Sequence, residues 1–208
     1  MSILEQNKNA LVVIAHPDMK SLSHQISHYI ARHLTQQGMN VEIADLYEED
    51  FKPAITIPDL KAYRGQQTLG NDILLEQARF DRADIVYFVF PIYWWSIPAV
   101  LKGWFERVFT HGWAFKVDDQ GVLTGELKKI PIKLIGTGTG DQAGYDKHGY
   151  TQAIHTQVVE GIFGFCGIED VQTSILYNSD FIQAEDLQTF LKELDTNVLD
   201  LNQRSASC

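Results

Sequence analysis

Two apolar runs, ALVVIA at residues 10–15 and DIVYFVF at residues 84–90, lack the in–out alternation of a strand that has one face in water. Each reads as a strand covered on both sides, the environment of a parallel sheet. Strands that run parallel need long crossovers, and the stretches between these runs carry helical periodicity instead of turn signals. After the first run, Ile26, Ile30 and Leu34 recur at i, i+4 and i+8, and Gly38 stands where the helix of about 23–37 should stop.

The same alternation continues to the end. Residues 41–46 (VEIADL) form a shorter, more polar strand, and residues 48–69, with Pro53 and Pro58, form a surface connection with one helical turn. A helix is predicted over 71–82 with Asn71 as its N-cap, and a second over AVLKGWFERVF, with Pro98 in its first turn. Residues 110–129 are an excursion, a hairpin or loop, before a fourth strand at 131–135. A glycine-rich loop at 136–149, a helix at 151–165, a fifth strand near 171–177 and an amphipathic helix at 184–201 complete the order. The expected architecture is one domain over 1–208: a doubly wound, five-stranded parallel sheet of order 2-1-3-4-5 with helices on both faces.

Composition narrows the function. A net charge of -10 argues against nucleic acid or an anionic membrane as a general partner. No apolar window approaches the roughly 20 residues of a membrane span, and MSILEQNKN lacks the pattern of a signal peptide, so a cytoplasmic location is expected. Cys166 and Cys208 are expected as free thiols. His24 and His28 stand at i, i+4, but no neighbouring ligands complete a set and no metal is expected.

In open parallel sheets, ligands bind at the carboxyl ends of the strands near the reversal of strand order. The first such loop, HPDMKSLSHQ, brings Ser21, Ser23 and free N–H groups to a helix N-terminus that suits a phosphate. Simple helix capping by either serine explains it as well. The second, FPIYWWSIP, sets Tyr93, Trp94 and Trp95 in a row, either a wall for a planar ligand or a plug for a neighbouring element or subunit. The third, GTGTGD, has Asp141 where a dinucleotide fingerprint needs its third glycine, and it follows the fourth strand instead of the first. It is either a close backbone approach to a ligand or an ordinary flexible loop.

Taken with GFCGIEDV, the segments AHPDMKSLS and FPIYWWSIPAVLKGWFERVF resemble the flavodoxin-like NAD(P)H:quinone oxidoreductase family, the group of DT-diaphorase and the ancillary quinone reductases of bacterial potassium-efflux systems. The resemblance covers residues 11–177 and implies a flavin, FAD with FMN as the alternative, and NADPH or NADH as co-substrate. It implies that His16, Ser21, Leu22 and Ser23 hold the phosphates and ribityl chain. Pro91, Ile92, Tyr93, Trp94 and Trp95 would wrap the isoalloxazine, and Thr137, Gly138, Thr139 and Tyr145 would close its other edge. Tyr145 and His148 match the family's catalytic pair, with Tyr150 a second match for the tyrosine, and Thr139 replaces a glycine common in the family.

The activity implied is two-electron, ping-pong reduction of a quinone or similar aromatic acceptor by a homodimer. Backbone N–H groups of Gly138 and Thr139 are the expected donors at the flavin's pyrimidine edge. Two other readings stand beside the enzyme: a flavin-binding regulatory subunit of an ion-efflux system, with a peripheral membrane partner, and an electron carrier. The carrier is disfavoured because HPDMKSLS is not a Ser/Thr-rich phosphate loop.

Overall fold

The computed structural model describes residues 8–204; the thiol expected at Cys208 lies outside them. Apolar pattern and observed elements agree closely at the start: β1 (Asn9–Ile14), α1 (Leu22–Gln36) and β2 (Asn40–Asp45) follow one another, with Gly38 at φ 85° turning the chain after α1. Then come α2 (Ile57–Tyr63), α3 (Asn71–Arg82), β3 (Ile85–Pro91) and α4 (Ala99–Val108). The excursion is a hairpin, β4 (Phe115–Val117) paired antiparallel with β5 (Leu123–Gly125). The chain continues through β6 (Ile132–Thr137), α5 (Gln142–His148), α6 (Tyr150–Ile154), a π-helix (His155–Gly164), β7 (Val171–Leu176), a 3-10 turn (Ser179–Phe181) and α7 (Ala184–Arg204).

The main sheet has the order β2-β1-β3-β6-β7, and every pairing in it is parallel. Counting only its own strands, this is 2-1-3-4-5, the expected order. Central β3 is buried along its whole length, while β2 at the edge keeps partly exposed positions, which accounts for its more polar sequence.

Alternation across β3 divides the core. Phe88 and Phe90 pack with Trp104, Phe105 and Phe163 on one face, and Tyr87 and Val89 pack with Ile26, Ile30, Leu34 and Leu191 on the other. Each large apolar side chain fully buried in this way contributes about 1.5–3 kcal/mol. None of the helices among the described residues is long and apolar enough to cross a membrane.

Several local expectations are corrected. The N-cap of α3 is Gly70, without a side-chain bond, and Asn71 is already helical. Pro98 is the N-cap of α4 and precedes its first turn. The segment 136–149 is mostly regular: Gly136 and Thr137 extend β6 because they pair with Phe90 and Pro91, and Asp141 caps α5 by accepting from Gly144 N–H. The helix expected over 151–165 widens after Ile154, with Phe165 N–H reaching back five residues to Glu160. Its buried Val158 and Phe163 share that five-residue step, so the wider turn brings both onto the core side.

Candidate active site

The parallel register brings Pro91, Thr137 and Leu176 into line at the carboxyl ends of β3, β6 and β7. The chain leaves β1 toward β2 on one side and reaches β3 on the other, so strand order reverses beside β1. A cleft of about 620 Å³ opens there, lined by the segments after β1, β3, β6 and β7.

After β1, His16 Nδ1 accepts the N–H of Asp18 at 3.0 Å, so a neutral ring carries its hydrogen on Nε2. Burial and the nearby His24 lower the His16 pKa, against the pull of Asp18, and favour that neutral ring. Ser21 caps α1, its Oγ accepting from His24 N–H. The N–H groups of Leu22 and Ser23, in the first turn, have no intrahelical acceptor. Ser23 lines the cleft, and its buried Oγ has no hydrogen-bond partner among the described residues. A hydroxyl buried in this way costs about 1–3 kcal/mol, so an oxygen-rich ligand at this turn would relieve a standing deficit.

After β3, Ile92 N–H bonds to Thr137 C=O at 2.8 Å, and the chain then makes a two-residue turn on Trp94 and Trp95, at φ 48° and 61°. Trp94 is 93% exposed; Trp95 stacks on Tyr150 with ring centroids 4.0 Å apart and planes at 6°. Ser96 Oγ donates to Gln157 on the π-helix and tethers the turn. After β6, Gly138 N–H bonds to Leu176 C=O, Ser179 N–H to Gly138 C=O, and Asn178 N–H to Gly140 C=O. The segments after β6 and β7 are thereby locked together.

Of the residues expected at the site, His16, Ser21, Leu22, Ser23, Pro91, Ile92, Tyr93, Trp94, Thr137 and Thr139 line the cleft. Gly138 does not: its N–H is taken by Leu176, and a Cβ there would lie 2.6 Å from Tyr145 Oη, so its role is close packing. Tyr145 is buried beside Trp95, Tyr150 and Tyr177, and burial, with Tyr177, raises its pKa. His148 is exposed and stacks on Tyr150 at 5.3 Å. Trp95, Tyr145, Tyr150 and His148 thus form an aromatic group outside the lining of the cleft. His24 Nε2, weighed as a metal ligand, is hydrogen-bonded to Asp45.

Residues 8–198 match the family model described as flavodoxin-like fold. A ribosyldihydronicotinamide dehydrogenase [quinone] of Mus musculus is 30% identical over 207 residues, spanning 88% of this chain and 87% of its own. The chain belongs to the flavodoxin-like quinone oxidoreductase family. NAD(P)H dehydrogenase [quinone] 1 of Rattus norvegicus is 30% identical over 192 residues, 82% of this chain and 69% of the relative. The solved NAD(P)H:quinone oxidoreductase of Methanothermobacter marburgensis shares the fold with a TM-score of 0.81 at 22% identity, covering 92% of this chain and 97% of that one.

Three lining residues of this family member escaped the sequence reading: Asp18, Ser179 and Asp180. The strand-end rule, extended to β7, would have found Ser179 and Asp180 in YNSD. Asp18 stands inside HPDMKSLS, but a search for phosphate donors passes over a carboxylate. Among the described lining residues there is no Lys or Arg, so an anion here would be met by N–H dipoles and hydroxyls.

Proposed function

We propose that this protein is a flavin-dependent NAD(P)H:quinone oxidoreductase working by a ping-pong cycle, as a cytoplasmic homodimer. The observation that carries the reading is Ser23, a cleft-lining residue in the first turn of α1 at the strand-order reversal, whose buried hydroxyl has no partner among the described residues. His16 Nε2–H, the Ser21 and Ser23 hydroxyls and the first-turn N–H groups would hold the phosphate and ribityl end, with Leu22 beneath and Thr137 and Thr139 opposite. Pro91, Ile92, Tyr93 and Trp94 would seat the ring system, with Trp95 fixing the turn through its stack on Tyr150.

A flavin, when bound, accepts a hydride from a reduced nicotinamide and delivers two electrons to a quinone. The chain supplies position and a dry wall. Tyr145, its pKa raised by burial, keeps its proton at Oη at neutral pH, and with His148 it would act from the aromatic group behind the turn that carries Trp95. FAD suits this cleft better than FMN. With Asp18 and Asp180 in the lining and no Lys or Arg among the described lining residues, a terminal phosphate dianion is more strongly repelled than a pyrophosphate with one charge per phosphorus.

Trp94, nearly fully exposed beside the cleft, is the residue a second subunit would cover. The test is to release and identify the bound flavin, then follow NADH and NADPH oxidation with a panel of quinones. FAD and quinone-dependent turnover are expected; a flavin-reconstituted protein that oxidises neither nicotinamide would refute the proposal.

A further inference from the structure

A buried hydrogen-bonded chain runs from the end of β2 to the wall of the cleft. Asp45 is 4% exposed and His24 1%. Asp45 Oδ1 accepts the N–H groups of Tyr47 at 3.0 Å and Glu48 at 3.2 Å, and Oδ2 lies 2.6 Å from His24 Nε2. With both carboxylate oxygens accepting, Nε2 carries a hydrogen. The other ring nitrogen, Nδ1, is 2.9 Å from Ser21 Oγ, and Ser21 lines the cleft.

Two hydrogen arrangements satisfy this geometry. With a neutral His24 ring, the Ser21 hydroxyl donates inward to Nδ1 and turns a lone pair toward the cleft. With a cationic ring, Nδ1–H donates to Ser21 Oγ and the hydroxyl hydrogen is free to point at a ligand. The first arrangement repels an anionic oxygen and the second binds it.

We infer that Ser21, His24 and Asp45 form a proton-linked positioning relay: an anionic phosphate oxygen of the cofactor settling against Ser21 draws one proton from solvent onto His24. The relay rests on reading the cleft as the flavin site. It supplies the positive charge that a lining without Lys or Arg lacks, and Asp45 balances that charge from behind. Ser23 Oγ, partnerless in the same turn, is a second sign that the ligand brings oxygens there.

Among the described residues, His24 faces Asp45, whose Oδ1 is held by the backbone N–H groups of Tyr47 and Glu48, His16 from the end of β1 at 6.4 Å between ring centroids, and His28 along α1 at 6.3 Å. Asp18 stands beyond His16. His16 Nδ1 is already occupied by the Asp18 N–H, whereas His24 sits between the Asp45 carboxylate and the Ser21 hydroxyl, the one placement that links a ring proton to the cleft wall.

The experiment is calorimetric titration of flavin-free protein with FAD at pH 8 in buffers of different ionisation enthalpy, which counts protons taken up per flavin bound. Wild type should take up about one proton, and His24→Gln and Asp45→Asn about none. A merely structural role for the pair would change affinity and leave the proton count alone. Should both variants fail to fold, Ser21→Ala, which leaves the His24–Asp45 pair intact, should bind FAD about tenfold more weakly with a reduced count. An unchanged count in whichever of these variants folds overturns the relay while FAD binding leaves the flavin reading standing. Failure of the wild type to bind FAD overturns both.

Discussion

The backbones of Tyr93 and Ser96 bond to each other in both directions, Tyr93 N–H to Ser96 C=O at 3.0 Å and Ser96 N–H to Tyr93 C=O at 3.1 Å. The two residues between them, Trp94 and Trp95, therefore occupy left-handed positions where such turns ordinarily carry Asn or Gly. Each costs about 1–2 kcal/mol relative to a glycine in that conformation. Trp94, almost fully in solvent, recovers little of that cost by packing, which points to a ligand or partner contact as the reason for the ring.

Trp94→Gly should accordingly raise stability by about 1 kcal/mol while weakening flavin retention. Trp94→Val, β-branched at the same φ, should lower stability by a similar amount. Thermal unfolding of both, with flavin content after gel filtration, checks this; a Trp94→Gly protein less stable than wild type would sink the strain account.

Ser23→Ala separates folding from binding. Removing a buried hydroxyl that has no partner should stabilise the flavin-free protein by about 1 kcal/mol, and flavin affinity should fall about tenfold. Urea unfolding without flavin and a flavin titration read the two effects. A variant destabilised without flavin would mean that the hydroxyl has a partner within the protein.

Gly138→Ala places a methyl group 2.6 Å from Tyr145 Oη, and the next ring atom is 3.3 Å away. The overlap should cost about 1–3 kcal/mol. Adding Tyr145→Phe removes the offending oxygen, so the double variant should recover about 1 kcal/mol or more relative to the sum of the singles. Additive losses in denaturant unfolding would exclude this contact as the cause.

Asp59 joins α2 to α4. It completes a capping box with Thr56 and pairs with Arg107 through both carboxylate oxygens, at 3.0 and 3.2 Å. Burial works against its ionisation, but the bonds from Arg107 and Thr56 outweigh that and hold its carboxyl below the ordinary range. A depressed folded-state pKa stabilises above the unfolded value, and the contribution is lost as pH falls through the folded one. Asp59→Asn should cost about 2 kcal/mol at pH 7, and its stability gap from wild type should close on acidification. Urea midpoints measured from pH 7 to pH 3 report it; a gap independent of pH would show that the ion pair does not contribute.

Much of the fold was legible because the signals were local. The apolar runs at residues 10–15 and 84–90 named the central strands, Ile26, Ile30 and Leu34 named the buried face of α1, and the strand-end rule located His16, Ser23 and Tyr93 at one cleft. The segment 136–149 is less legible, because its glycines suggest a loop when taken alone. Gly136 and Thr137 become strand only because Phe90 and Pro91 on β3 offer them partners.

The sequence by itself determined the alternation of strand and helix, the parallel sheet that follows from it, and the loops that gather at its carboxyl edge, since each depends on periodicity within a few turns of chain. Only the tertiary structure decided that Gly138 packs under Tyr145, that Ser179 and Asp180 complete the cleft, and that His24 meets Asp45 across 21 residues. Such contacts depend on the register between strands and the seating of helices, which burial and hydrogen-bond satisfaction fix jointly across segments that no local window contains.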